Sequence, residues 1–242
     1  MSPYEKAWQA VHRRIADAAL RAGRAPDSVR LVAVSKTFPA DAVRALHGLG
    51  QRRFGENYVA EGLEKKALLA DLADIEWRLI GPLQSNKAAR AARGFDAVET
   101  IDRLDLAARL SAARAAIAGA APLDVLVQVN ISGEATKHGV AADAAVALAR
   151  DVSTLPALRL RGFMGIGAAG VDERALRQSF RRLRRCHDDA RAGGLAVDTL
   201  SMGMSDDFEA AIAEGATEVR IGSALFGPRS RQVAAPGAAS VR

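Results

Sequence analysis

The chain has 242 residues, 49% of them hydrophobic, with 34 Lys and Arg against 28 Asp and Glu and a formal charge of +6. That length accommodates one α/β barrel or two small domains, and the apolar fraction suffices for a full core. The single cysteine, Cys186, excludes a disulfide framework and a CxxC metal knuckle, no apolar run is long enough to span a membrane, and a reducing, cytoplasmic setting is expected.

Met1 to Leu20 carries Glu5, Lys6, His12, Arg13, Arg14 and Asp17 in an amphipathic pattern and reads as a helix rather than a signal peptide. Gly23-Arg24-Ala25-Pro26 breaks the chain. Leu31–Ser35, apolar or small with two valines, predicts a short buried strand ending at Lys36. Ala40–Leu49 reads as a helix stopped by Gly50. Arg52–Gly55 is a poor strand by composition and leads through Glu56-Asn57-Tyr58 into a helix reaching Leu72. Glu76–Ile80 predicts a strand stopped by Gly81-Pro82, Leu83–Ala92 a helix, Ala97–Thr100 a strand and Leu104–Ala118 a helix. Leu123–Asn130 has the strongest strand composition; the loop Ile131–Gly139 follows, then a helix near Asp143–Ser153. Leu158–Met164 predicts the sixth strand, Glu173–Ala192 a long polar-faced helix, Val197–Ser201 the seventh strand, Asp206–Glu214 a helix and Thr217–Ile221 the eighth strand. A short last helix starts near Ser223.

Strict alternation of strand and helix, eight times over behind one extra N-terminal helix, requires parallel strands with crossover helices. Eight such units in this length predict a single (β/α)8 TIM barrel over residues 1–228, with a small, polar, flexible tail over 229–242. A doubly wound open sheet is the competing arrangement. In a barrel, functional residues sit just after the strands. Polar residues do collect there: Lys36, Glu56, Asn57, Gln84 to Lys87, Asp102, Asn130, Lys137, Ser201 to Ser205 and Arg220 to Ser223.

Two of these stretches are specific. Leu200-Ser201-Met202-Gly203-Met204-Ser205-Asp206-Asp207 and Val219-Arg220-Ile221-Gly222-Ser223 each offer hydroxyls, a glycine and a helix start. Backbone N–H groups in such a setting bind phosphate, and the loops after strands seven and eight are the habitual phosphate position of barrels. Asp206 and Asp207 then read as helix-capping residues, and helix capping by Ser205 is the plain alternative for its loop. A lysine can attack a carbonyl when held out of bulk water. Lys36 on strand one and the phosphate cradle on its neighbours would be bridged by a ligand with an aldehyde at one end and a phosphate at the other. Pyridoxal 5′-phosphate (PLP) is such a ligand, with Arg220 near its ring nitrogen, which the non-titrating guanidinium keeps unprotonated.

These stretches, together with Phe54-Gly55-Glu56-Asn57-Tyr58, Ile80-Gly81-Pro82-Leu83-Gln84-Ser85-Asn86-Lys87 and Thr100-Ile101-Asp102, resemble those of the PLP homeostasis protein family, also called proline synthetase co-transcribed homologues. The resemblance runs from about Val29 to Gly227. It implies a fold similar to the N-terminal domain of alanine racemase. It implies a covalent aldimine of PLP on Lys36, Asn57 beside the cofactor, Ser201, Gly203, Met204, Ser205, Gly222 and Ser223 on the phosphate, and Arg220 at the ring nitrogen. The implied function is vitamin B6 homeostasis, the buffering and delivery of PLP with effects on amino-acid and keto-acid balance, without established catalysis. PLP-dependent apo-enzymes are the expected recipients and a monomer the expected state.

Departures from the family pattern are few. Ser223 stands where threonine is frequent, and Arg78 where histidine is frequent, so Arg78 receives no role. Phe163-Met164-Gly165-Ile166-Gly167 is rich in glycine and is expected to loosen the pocket on that side. Gly165, Gly167 and Gly170 also spell GxGxxG, but outside the first βα unit and without an acid at a following strand end, so no dinucleotide is expected. His12, His47, His138 and His187 lack ligand spacing, and Trp77 and Phe163 read as core. The arginine run Arg181, Arg182, Arg184 and Arg185 lacks interleaved aromatics and reads as a solvated helix face, so neither nucleic acid nor membrane is an expected partner. The alternative function is a PLP-dependent amino-acid racemase or Schiff-base lyase. Racemisation needs an acid/base on each face of the cofactor. In alanine racemase one of these comes from a second domain, which would begin about where this chain ends.

Overall fold

The computed structural model describes residues 2–134, 137–168 and 170–227. Eight strands, β1 (Arg30–Val34), β2 (Arg53–Glu56), β3 (Glu76–Leu79), β4 (Ala97–Ile101), β5 (Leu123–Asn130), β6 (Leu158–Gly165), β7 (Thr199–Ser201) and β8 (Glu218–Ile221), pair in parallel, each with the next. Closure is made by β8 against β1, with Arg30 opposite Glu218 and Val32 opposite Arg220. The open-sheet alternative is thereby excluded. The helices are α1 (Pro3–Arg21), α2 (Ala40–Gly48), α3 (Val59–Leu68), α4 (Ala88–Gly94), α5 (Leu104–Ala115), α6 (Ala145–Ser153), α7 (Glu173–Ala192), α8 (Phe208–Ala213) and α9 (Ser223–Phe226). The expected flexible tail over 229–242 lies outside the described residues.

Local chemistry explains the elements. Ser2 and Glu5 form a capping box that starts α1, which buries Val11, Ile15, Ala18 and Ala19 and lies against α2, α8 and α9. The poor strand β2 forms because it is paired on both sides, Phe54 with Ala33 and with Trp77. Tertiary pairing there overrides a weak local preference. A two-residue strand, Val140–Ala141, which the sequence pattern does not announce, adds beside Val129 and Asn130. The helix expected over Leu83–Ala92 is split into a 3₁₀ turn, Ser85–Lys87, and α4. Trp77 and Phe163 are buried in the core as expected.

The four arginines of the run on α7, Arg181, Arg182, Arg184 and Arg185, are all exposed, as a solvated helix face requires. Arg181 binds Glu214 at 2.8 Å and Arg182 donates to the Ile131 carbonyl at 3.2 Å. The glycines at the end of β6 and just beyond it tighten this side rather than loosening it. A Cβ on Gly165 would meet Ile131 Cδ1 at 2.8 Å, and one on Gly167 would meet Leu176 Cδ1 at 2.8 Å. They let α7 approach the sheet.

Candidate functional site

The C-terminal strand ends surround a cavity of about 410 Å³, inside the ~300–1,000 Å³ usual for small-molecule sites. Lys36 leaves β1 on one wall, and Asn57 leaves β2 beside it. Adjoining it across the β8–β1 seam lie Gly222 and Ser223 at the start of α9, with Arg220 on β8, and next along the rim Met204 and Ser205 from the β7–α8 loop. Phe38, stacked on Phe226 with ring centroids 4.8 Å apart, closes the side between them.

The turn that carries Lys36 is fixed from both sides. Ser35 donates to Glu56 Oε1 at 2.6 Å, and its carbonyl accepts from Lys65 Nζ at 2.7 Å. Lys65 also binds Glu56 and Glu61, each at 2.8 Å. Thr37, with a left-handed φ of 68°, gives its N–H to Glu61 at 2.5 Å. A threonine in that backbone region stores strain, and strain of this kind persists only where surrounding contacts over-determine it. Burial pushes the Glu56 carboxyl above the usual range, against the pull of Lys65 and Ser35. Asn57 is seated by a close backbone approach. A Cβ on Gly81 would stand 2.3 Å from the Asn57 carbonyl oxygen, and the Gly81 carbonyl accepts from Thr100 at 2.9 Å.

Arg220 is buried, and its guanidinium donates to Ser201 Oγ at 2.7 Å and to the Gly165 carbonyl at 2.9 Å. Ser201 in turn donates to Glu99 Oε2 at 2.7 Å. Glu99 accepts from Arg78 Nε at 2.7 Å, and Arg78 donates onward to Glu218 at 3.0 Å and to Glu76. A chain of ionic hydrogen bonds therefore runs down the inside of the barrel from the cavity. Burial pulls the Arg220 guanidinium below the usual arginine range, opposed by Glu99 and Glu218. Burial also opposes ionisation of Glu99, but Arg78 and Arg220 outweigh it and hold the carboxyl below its usual value. Burial pushes Glu218 up to about 7, only partly offset by Arg78.

The two anion-cradle loops are stitched together. Ser205 Oγ accepts from Ala224 N at 3.4 Å, so it ties its loop to α9 instead of capping α8. Asp207 is committed to the Met204 N–H at 2.5 Å, and burial pushes its carboxyl up. Asp206 stays exposed on the cavity rim. Among the described residues, the backbone N–H groups of Ser205, Gly222 and Ser223 donate to no protein acceptor. A Cβ on Gly222 would approach the Val34 carbonyl to 3.3 Å. An amine at the end of β1, unsatisfied N–H groups with two hydroxyls on the adjoining β7 and β8 loops, and a guanidinium beside them suit a flat ligand bearing an aldehyde and a phosphate.

Seven of the nine site residues expected from the sequence, Lys36, Asn57, Met204, Ser205, Arg220, Gly222 and Ser223, line this cavity. Ser201 and Gly203 lie behind its wall. The Ser201 hydroxyl is taken up by Glu99 and Arg220, so it seats the guanidinium rather than facing a phosphate. Gly203, at φ +98°, accepts from Arg220 N at 2.9 Å and packs where a Cβ would come within 2.7 Å of Ala211. Gln84 to Lys87 and Asp102 lie away from the cavity. Asp102 pairs with Arg103 at 2.6 Å. Sequence reasoning missed Gln128 and Asp206 on the wall and the supporting Lys65, Arg78, Glu99 and Glu218. The one available signal was charge inside otherwise apolar strands, such as Glu99 in Ala97–Ile101 and Glu218 in the eighth strand.

The alanine racemase N-terminal domain family matches residues 8–230, and fold and cavity together place the chain in that class of barrels. The chain is 54% identical over 219 residues to the pyridoxal phosphate homeostasis protein of Pseudomonas aeruginosa, covering 90% of this chain and 93% of that protein. It is 46% identical over 221 residues to the protein of the same name from Escherichia coli K12, covering 90% and 94%. It also matches the solved structure of PipY from Synechococcus elongatus with PLP bound, at 36% identity and a TM-score of 0.77 over 90% of this chain and all of that one. The chain belongs to the pyridoxal phosphate homeostasis protein family.

Proposed function

We propose that this protein binds PLP in the C-terminal cavity and holds it there as a Schiff base on Lys36, as a store from which the cofactor is delivered. The observation that carries the reading is the convergence of Lys36, Asn57, Arg220 and the Ser205 and Ser223 loops on one cavity of matching size. The PLP-bound relative PipY supports it. When bound, the group supplies a reactive aldehyde. The Lys36 amine would condense with that aldehyde, its carbonyl oxygen leaving as water, and the Ser205, Gly222 and Ser223 N–H groups and hydroxyls would take the phosphate. Ser201 and Gly203 support that end from behind. Arg220 donates to the ring nitrogen and leaves it unprotonated, because a guanidinium does not give up its proton. That makes a weak electron sink, suited to storage rather than carbanion chemistry.

In this reading the protein is non-catalytic, cytoplasmic and monomeric, and PLP-dependent apo-enzymes receive the cofactor. The visible spectrum tests the bond. Purified protein is expected to show a yellow chromophore that bleaches with borohydride and is absent from Lys36→Ala. A preparation that stays colourless with added PLP overturns the reading. Turnover of alanine or serine to the opposite enantiomer, lost in Lys36→Ala, would replace storage with racemisation.

A further inference from the structure

The turn that presents Lys36 is strained at one peptide. Its ends are pinned. Ser35 N donates to the Gly55 carbonyl at 3.0 Å, Phe38 N closes the turn on the Ser35 carbonyl at 3.0 Å, and the Phe38 ring is stacked on Phe226. Lys36 and Thr37 are the two central residues. A φ of 68° at Thr37, the third residue of the turn, marks type II, which favours glycine at that place. Among the described residues, Thr37 and Ala157 alone combine a side chain with a left-handed φ, and Thr37 is the β-branched one. The Thr37 side chain does not offset this: it is exposed, and its hydroxyl makes no hydrogen bond among the described residues.

Glu61 opposes the strain. Type I and type II turns differ by rotation of their central peptide, between the second and third residues. Here that is the Lys36–Thr37 peptide, and its N–H is the one that Glu61 Oε1 accepts at 2.5 Å. Rotation to type I would give Thr37 an ordinary negative φ and turn its N–H away from Glu61. Glu61 stands in the first turn of α3, where Lys65 Nζ holds the same oxygen at 2.8 Å. Fixed ends, a local preference in one direction and a charged acceptor in the other give this peptide two discrete orientations.

We propose that Glu61 is a positioning residue for PLP: by clipping the Thr37 N–H it keeps the Lys36–Thr37 peptide in its strained orientation, and opening of the clip lets the cofactor go. This rests on the reading that Lys36 carries PLP. The variants are Glu61→Ala, Thr37→Gly and the two together, in the full chain. The Glu61 side chain is 25% exposed, and Lys65 keeps Glu56 and the Ser35 carbonyl without it, so the fold is expected to survive. Release is followed as loss of the bound-PLP absorbance in excess alkaline phosphatase, which consumes free PLP. Glu61→Ala is expected to release PLP about tenfold faster, the scale set by backbone strain of this kind. In a Thr37→Gly background the same substitution should change the rate by less than about threefold, because glycine adopts the left-handed φ without a clip. A loss of Glu61 that acted only through general packing would accelerate release equally in both backgrounds. A second measurement needs no PLP: hydrogen exchange of the Thr37 amide, read by NMR in ligand-free protein, should be at least about tenfold faster in Glu61→Ala than in wild type. An unaltered release rate, an equal acceleration in both backgrounds, or equal amide exchange would each overturn the proposal. A wild type that takes up no PLP would instead overturn the storage reading, and amide exchange would still decide whether the clip exists.

Discussion

Glu218→Gln isolates the charge at the centre of the barrel. Glu218 is fully enclosed, Arg78 Nη2 donates to its Oε1 at 3.0 Å, and burial pushes its carboxyl from the ordinary 4.5 up to about 7. A carboxyl whose folded value is raised contributes stability that is fully present below about pH 4.5 and lost as the pH climbs through about 7. At roughly 1.4 kcal/mol per pKa unit, that group alone makes the folded state about 2–3 kcal/mol less stable at pH 8 than at pH 5. The amide keeps the acceptor for Arg78 and removes the titration. Urea unfolding of wild type and Glu218→Gln, at pH 5 and pH 8 without added ligand, measures the effect as a difference of differences. Wild type should lose about 2–3 kcal/mol more than the variant over that interval. Two stability curves that run parallel to within about 0.5 kcal/mol, the usual limit of additivity, would refute the assignment.

Three further outcomes are expected. Lys65→Met removes the cation that pairs with buried Glu56 and holds the Ser35 carbonyl; it should cost about 3–5 kcal/mol in chemical denaturation, and PLP binding followed by absorbance should weaken with it. Gly81→Ala drives a methyl group against the Asn57 carbonyl and should weaken PLP at least about tenfold, or 1.4 kcal/mol, in an equilibrium titration. Cys186 is buried, and burial pushes its thiol up to about 11, so iodoacetamide at pH 8 should label it only after urea is added, as read by mass spectrometry.

The fold was legible wherever local pattern and tertiary role agree. Leu123–Asn130 and Glu173–Ala192 are bounded as their composition predicts, because a β-branched run fits a buried strand and a polar-faced helix ends at Gly193. Arg53–Glu56 and Val140–Ala141 owe their extended form to neighbours in the sheet, which no short window reveals. At the cavity, the loop residues that line it were readable because residues just after the strands of a barrel gather at its C-terminal mouth. Arg78, Glu99 and Glu218 were not: a charge within a strand ordinarily faces water, and only closure of the barrel turns these three toward one another. The partners of Ser201 were hidden for the same reason, since its hydroxyl serves Glu99 and Arg220, both distant in sequence.

The ionic chain inside the barrel constrains how this protein can diverge. Arg78 neutralises two carboxylates that share its interior, so exchanging it for an uncharged side chain strands both of them at once. Drift at these three positions must therefore be concerted. Homologues with a neutral imidazole in place of Arg78 should have surrendered at least one of the two acids, and a chimera that transplants the histidine alone should emerge as inclusion bodies rather than as folded protein.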